Sequence, residues 1–440
     1  MTASSALLAG ALVWTLAAFG GAYDWTLPPA ALAIAAAAIL LRPRIFSRST
    51  RLLDALLVLC LAGACLQLVP LPAGVRASIS PEASMVERTL RLDAAVPRDR
   101  PLSLDPTKTL RAIAIAAMMI GAFWTARDAC ARGGIRPIVR AVCVGGLIVS
   151  LLAIATHYAT PQLIYGIWPY EHPKTPVFGP FVNRNHMGTW LVLAIPLAVG
   201  YLAARMSMRG GLEDGIDATS VWIAGAACAM FAAVLVSLSR SAATGVTAAA
   251  IVGGGIALFR RGLQSRKWLL AAAVVAALVF VSIPMSSQLL ARFDRLKGNA
   301  TGSRGQIWVE TLPIIHDFAI AGTGLGTYRM TMLVYQQTDR DVLFNQAHDE
   351  YLQQAAEGGL LVGVPLLLAA IVLLAGVVRR LRNDVTNGFW IRAGAAAGLA
   401  GIAIQNIWET GLRMPANGLL FAVICAVAIQ GSGTGGQREG

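Results

Sequence analysis

The stretch TLRAIAIAAMMIGAFWTARDACARGGIRPIVRAVCVGGLIVSLLAIATHY, Thr109–Tyr158, decides the fold. It holds two apolar runs, Thr109–Ala126 and Pro137–Tyr158, each long enough for a helix that crosses hydrocarbon. Between them lies a basic connector, RDACARGGIRPIVR. The same alternation of apolar run and short polar connector fills the chain. Of the 440 residues, 56% are hydrophobic and 13% charged, with a mean hydropathy of +0.63. A soluble chain carries about a quarter charged residues. An ordinary soluble enzyme, a disordered protein and a disulfide scaffold are all excluded. Five of the six cysteines fall inside apolar runs and Cys130 lies in a basic connector, so no spacing suggests a disulfide or zinc. The opening MTASSALLAGALVW has no basic residue before its apolar run, which argues against a cleaved signal peptide.

Working outward, the pattern predicts twelve spans. They are Ser5–Ala22, Trp25–Leu41, Leu52–Leu71, Thr109–Ala126, Pro137–Tyr158, Met187–Met206, Ser220–Ser239, Ser241–Phe259, Trp268–Pro284, Gly359–Val378, Ile391–Ile407 and Asn417–Gln430. Abundant Ala and Gly suit close packing in lipid. The connectors RPRIFSRSTR, RDACARGGIRPIVR, RRGLQSRK and RRLRND follow spans 2, 4, 8 and 10 and fall on one side. The positive-inside rule makes that side cytoplasmic, and both termini with it. MRGGLEDGID, on the same side, is an exception. This topology gives the cytoplasmic side nineteen basic against seven acidic residues and leaves the external side nearly neutral. The net charge of +13 is thus an orientation signal and not a nucleic-acid footprint.

The external face carries the long segments, 72–108, 159–186 and 285–358. The expected organisation is residues 1–284 as spans with two loops, 285–358 as a large loop, and 359–440 as the last spans and a cytoplasmic tail. Amphipathic patterns at Ser286–Lys297, Ser303–Asp317 and Gln346–Glu357 predict short helices in that loop. All five histidines, His157, His172, His186, His316 and His348, fall on this face.

Three motifs there carry chemistry. FGPFVNRNHMG (178–188) sets Arg184 and His186 where a helix begins, a good anion site by backbone N–H groups and dipole. Its structural alternative is a snorkelling Arg with Asn183 as N-cap. SLSRSAATG (237–245) sets Arg240 at a tight turn between two spans. A guanidinium there suits a phosphate fork, the alternative being a salt bridge to Asp349 or Glu350. GSRGQIW (302–308) and QAHDEYLQQAAEGGLLVG (346–363) start two helices with Arg304 and His348. GTGLGTYR (322–329) has the look of a nucleotide loop, but no strand precedes it, and a helix break is the better reading. Adjacent His348, Asp349 and Glu350 would not chelate together, so no metal is expected.

These motifs, with PLSLDPTKTLRA (101–112), resemble the O-antigen ligase and polymerase superfamily over roughly residues 100–365. The resemblance implies an all-α polytopic membrane protein of about twelve transmembrane helices with a large periplasmic helical loop, GT-C-like. It implies glycosyl transfer at the periplasmic face of the bacterial inner membrane, from a glycan on undecaprenyl diphosphate. In the ligase branch the acceptor is a sugar hydroxyl of lipid A–core; in the polymerase branch it is another lipid-linked repeat. No cofactor, nucleotide or metal is implied. Arg240 and Arg304 would correspond to essential arginines and His348 to the essential histidine, with Arg184 and His186 in support at the diphosphate. Protein glycosylation is a third branch. A transporter is a distant alternative, disfavoured because the spans are almost free of charge.

Overall fold

The computed structural model describes residues 2–90, 99–169, 177–208, 217–261, 304–338 and 340–430. The predicted ninth span, the Ser286–Lys297 pattern, most of RRGLQSRK and His172 lie outside the described residues.

The chain is an all-α polytopic membrane protein. Its helices, in chain order, are α1 (Ala3–Ala17), α2 (Leu27–Leu41), α3 (Arg51–Leu66), α4 (Ala73–Ile79), α5 (Ala83–Leu90), α6 (Pro106–Ala131), α7 (Ile135–Ala159) and α8 (Arg184–Met208). Then follow α9 (Ala218–Ser237), α10 (Arg240–Arg261), α11 (Arg304–Asp317), α12 (Tyr328–Tyr335), α13 (Glu350–Asn383), α14 (Phe389–Gln405) and α15 (Pro415–Ile429). Seven described helical segments are long and apolar enough to cross a membrane, and α1, α14 and α15 are shorter apolar helices. With α3, eleven of the predicted spans coincide with a helix. Among the described residues two small antiparallel pairings accompany them, Leu71–Pro72 with Asp99–Arg100 and Leu163–Ile164 with Trp168–Pro169, and an isolated bridge joins Phe178 and Phe181.

Helix α8 is the hub. Nearly all its apolar stretch is buried, against α7, α9, α10, α14 and α15. Glycine sets the closest approach: a Cβ on Gly394 of α14 would sit 2.3 Å from the Pro196 carbonyl oxygen, and one on Gly200 2.4 Å from that of Trp390. Small residues at these crossings let backbones touch, and dispersion then holds helices that lipid cannot drive together.

The two ends of the bundle differ. At one end Asp54, fully buried, accepts from Arg127 (2.7 Å), Trp124 (2.9 Å), Thr50 (3.0 Å) and the Phe46 N–H (3.0 Å). That network ties RPRIFSRSTR to the next basic connector. The connector is itself mostly helical, since α6 runs to Ala131 and α7 starts at Ile135, which places Cys130 in a helix and not in a loop. Arg205 with Asp217 and Arg392 with Asp384 pair among the connectors too.

At the other end α5, α11, α12 and the start of α13 enclose a second small core of Val86, Ile314, Phe318, Tyr328, Met332 and Ala356. This lobe joins the bundle at a break in α13. The Gln346–Glu357 pattern and the tenth span are not separate elements: one helix serves both, interrupted at Gly359 (φ 55°). The interruption frees backbone groups, and residues 319–324 satisfy them. Thr323 and Gly324 N–H donate to Ala356 and Glu357 carbonyls at 3.0 and 3.1 Å. Leu360 and Leu361 N–H donate to Ala319 and Ile320 carbonyls at 2.8 and 2.9 Å. Gly322 (φ 67°) makes the approach possible, since a Cβ there would fall 2.2 Å from the Glu357 oxygen. GTGLGTYR is therefore a structural partner to a helix break. Gln67, at the end of α3, bridges the joint by donating to the Ala321 and Glu357 carbonyls at 2.7 and 2.9 Å.

Candidate active site

The lobe end gathers the starts of α8, α10, α11 and α13 around the connector between α14 and α15. Each helix start places one sequence-predicted residue. Arg184, Arg240 and Arg304 are the first residues of α8, α10 and α11. A cation at the positive end of a helix is disfavoured by about 0.3–1 kcal/mol, so three such placements are not explained by helix stability. Asn183 does cap α8, accepting from the Asn185 N–H at 2.8 Å. The structural alternative for this motif thus holds for Asn183.

The starts of α8 and α10 lie side by side. Ser239 Oγ donates to Asn185 Oδ1 at 2.8 Å, which ties the residue before Arg240 to the residue after Arg184. Gly188 allows this contact, because a Cβ there would meet that of Ala242 at 2.6 Å. Arg240 is exposed and Arg184 half-buried. The carboxylates proposed as alternative partners for Arg240 are otherwise engaged. Asp349 caps α13, accepting from the Leu352 N–H at 3.0 Å, and Glu350 pairs with Arg413 at 3.1 Å.

His348 stands just before that cap with φ 51°, in the left-handed region that few non-glycine residues adopt. Its neighbours hold it there. Trp308 Nε1 donates to the Ala347 carbonyl at 3.1 Å, and the Ala347 N–H donates to Gln353 Oε1 at 3.0 Å. Such a conformation persists only where surroundings over-determine it.

The centre of the site is a residue that the motifs did not single out. Glu409, fully buried, lies 3.8 Å from His348 Nδ1 and 3.8 Å from an Arg304 guanidinium nitrogen. Burial alone would raise its carboxyl, but His348, His186 and Arg304 outweigh burial and hold it below the ordinary carboxylate value. Glu409 Oε2, His348 Nδ1 and His186 Nε2 are all buried without a hydrogen-bond partner among the described residues. Buried polar atoms left this way are uncommon and cluster where chemistry needs them. The structure thus brings Arg304, His348 and His186 together around Glu409, with Arg184 and Arg240 at adjoining helix starts. Among the described residues no three His, Cys, Asp or Glu side chains group as a metal site.

The connector is anchored on all sides. Asn417 Nδ2 donates to the His186 and Gly411 carbonyls at 2.9 and 2.8 Å. Thr410 donates to Gln346 at 2.8 Å, and the Glu350 N–H donates to the Asn406 carbonyl at 2.9 Å. Arg413 reaches Glu357 at 2.6 Å as well as Glu350. Burial works against that guanidinium, yet the two carboxylates outweigh it and keep the group protonated. Glu357 in turn accepts from the Gly326 and Tyr328 N–H groups at 2.9 and 3.0 Å. One signal for Glu409 and Arg413 was present in the sequence. WETGLRMPA, residues 408–416, sets an acid and a base in a short connector between apolar spans, on the face of the other candidates.

Residues 225–367 match the model of a family described as O-antigen ligase. The match covers 143 of the 440 residues, and members of that family are glycosyltransferase-like enzymes. The matched segment contains Arg240, Arg304 and His348, whereas Arg184, His186, Glu409 and Arg413 lie outside it. No curated protein matches the chain.

Proposed function

We propose that the protein is a ligase-type glycosyltransferase, moving a glycan from undecaprenyl diphosphate to a sugar hydroxyl of lipid A–core at the periplasmic face of the inner membrane. The observation that carries this reading is the buried Glu409 between His348 and Arg304. A carboxylate 3.8 Å from His348 Nδ1 orients the ring and favours the proton on that nitrogen, which leaves Nε2 with a lone pair. The acceptor hydroxyl attacks the anomeric carbon while Nε2 takes its proton. The bond from that carbon to the diphosphate oxygen breaks, and the leaving group keeps the electron pair. Direct attack inverts the anomeric centre.

Charge then grows on the diphosphate, and fixed cations stabilise it more in the transition state than in the ground state. Arg304, Arg240 and Arg184 supply those cations. Their unfavourable position at helix starts becomes favourable once an anion lies between them, since the helix ends and the guanidinium groups then attract the same ligand. Glu409 stabilises the imidazolium that forms on His348. A lone carboxylate would repel the diphosphate, so its full burial beneath His348 and Arg304 supports a role towards the histidine.

The test is transfer by purified protein in nanodiscs, with a labelled polyprenyl-diphosphate glycan and lipid A–core. Arg304→Ala and His348→Ala should each abolish transfer while the protein still inserts. Wild-type rates in both would refute the assignment. Deleting the protein in cells separates the branches. Long-chain lipopolysaccharide lost with lipid-linked polymer retained marks a ligase, and a single capping repeat marks a polymerase.

A further inference from the structure

His186 is held in place from two sides. Its N–H donates to the Asn183 carbonyl at 3.0 Å, and its carbonyl accepts from Asn417 Nδ2 at 2.9 Å. The residue is 9% exposed. A ring so enclosed is poorly placed to meet a diphosphate, which Arg184 and Arg240 reach more readily from the helix starts. The expectation of a diphosphate ligand in this motif fits Arg184 better than His186. What His186 does face is Glu409, and it helps to hold that carboxyl below its ordinary value.

The two Glu409 oxygens have different surroundings. Oε1 accepts from the Thr410 N–H at 3.2 Å and lies 3.8 Å from His348 Nδ1. Oε2 lies 3.8 Å from Arg304 and has no hydrogen bond among the described residues. His186 Nε2 is buried in the same condition. One atom accepts and the other can donate. Two more acceptors beside the start of α8, Asn417 Oδ1 and Gln405 Oε1, are also buried without a donor among the described residues. The orientation of both amides is fixed. Asn417 Nδ2 gives its hydrogens to two carbonyls. Gln405 Nε2 donates to Thr189 Oγ1 at 3.2 Å, and that hydroxyl donates to the Asn185 carbonyl. A polar interior of this kind suits bound water, each molecule of which needs about two to four such partners.

We propose that His186 is a positioning residue, which holds Glu409 Oε2 through a bound water and so keeps Oε1 turned towards His348. Its effect on rate rests on the transferase reading, since that reading makes His348 the base. The imidazole serves as a neutral donor, because Arg304 and a protonated His348 already outnumber the one carboxylate charge. With Oε2 held, the carboxyl cannot rotate away from Nδ1. The proton of His348 then stays on Nδ1, and the Nε2 lone pair stays free for the acceptor hydroxyl.

Two variants and two readouts test this on the full chain in nanodiscs. His186→Leu removes the donor. His186→Gln puts an amide nitrogen near the place of Nε2 and keeps it. Where Leu does not yield an intact particle on gel filtration, His186→Asn takes its place, being polar but too short to carry the donor there. The first readout is transfer kinetics. Without the donor, kcat should fall by about tenfold or more, the factor carried by a lost hydrogen bond to a charged group, at a level donor KM. His186→Gln should recover kcat to within about threefold of wild type. The second readout is nitrogen NMR of isotope-labelled histidine, with the His348 signals among five histidines assigned by their loss in His348→Asn. Neutral His348 should carry its proton on Nδ1 in wild type and His186→Gln, and divide between tautomers without the donor. A raised donor KM at unchanged kcat would make His186 a diphosphate ligand and overturn the proposal. Wild-type kinetics without the donor, a His186→Gln no better than His186→Leu, or a His348 tautomer indifferent to the variants would overturn it as well. Failure of the transferase reading looks different: no form of the protein transfers a glycan, while the His348 tautomer still answers to the residue at 186.

Discussion

Replacing Glu409 by glutamine keeps the shape of the side chain and removes one charge. In the native site that charge lies 3.8 Å from both His348 Nδ1 and the Arg304 guanidinium. At an effective dielectric of about 20, two unit charges at this separation attract by about 4 kcal/mol. The His348 side chain is 29% exposed, and solvent on that side reduces the value. About 2–3 kcal/mol of imidazolium stabilisation should remain at stake, or about 30- to 150-fold in kcat. Donor KM should stay level or fall, because the substitution also removes a negative charge near the diphosphate. The assay is steady-state transfer of a labelled glycan in nanodiscs, with gel filtration to confirm an intact particle. A kcat within about threefold of wild type, or a raised KM at unchanged kcat, would refute the role given to Glu409. The pH dependence follows in sign. The Glu409 carboxyl is held below its ordinary value of 4.5, so its contribution to stability is fully present above that pH. The contribution is lost only as the pH falls through the lower, folded value, and Glu409→Gln should remove that acid-side loss.

Other substitutions probe the frame around the site. Arg413→Ala leaves Glu350 and Glu357 without their cation and should destabilise by about 3–5 kcal/mol, read as a lowered midpoint of thermal unfolding in detergent. Arg413→Lys should recover part of that loss, since one ammonium cannot serve both carboxylates with the fork of a guanidinium. Gly322→Ala puts a Cβ 2.2 Å from the Glu357 oxygen at a φ of 67° and should cost at least about 2 kcal/mol, with protease sensitivity appearing in the lobe. Gly394→Leu forces α14 off α8 and should abolish the folded particle on gel filtration, whereas Gly255→Leu, which has open space beside it, should be tolerated.

The spans were legible because lipid imposes length and apolarity on every one of them, and neither depends on knowing a partner. Charge grouped the basic connectors on one side, and in the structure RPRIFSRSTR and the next of them meet at one end of the bundle. Arg240, Arg304 and His348 stood out as polar residues at the ends of apolar runs. Glu409 did not, because its meaning lies in what faces it. One acid in WETGLRMPA is ordinary for a connector, and only tertiary packing brings it under His348 and Arg304. The merging of the Gln346–Glu357 helix with the tenth span was hidden for a related reason. Gly358 and Gly359 suggest an end, and the chain instead resumes the helix because residues 319–324 supply the missing hydrogen bonds. A local pattern cannot report a bond made by a segment some forty residues away.

The order of these residues along the chain has a consequence for biosynthesis. During insertion the chain emerges from its N-terminus, so residues 319–324 are present before the broken turn of α13 that they complete. Glu409 follows Arg184, Arg240, Arg304 and His348, and it arrives only with the connector that Asn417 of α15 fastens to α8. Until then His348 and Arg304 lack the carboxylate that sets their geometry. A nascent chain lacking α15 and the connector before it would hold Arg184, Arg240, Arg304 and His348 but not Glu409, the group proposed to ready the base. Capture would therefore precede competence, and ribosome-arrested chains ending before residue 409 should bind a polyprenyl diphosphate without turning it over.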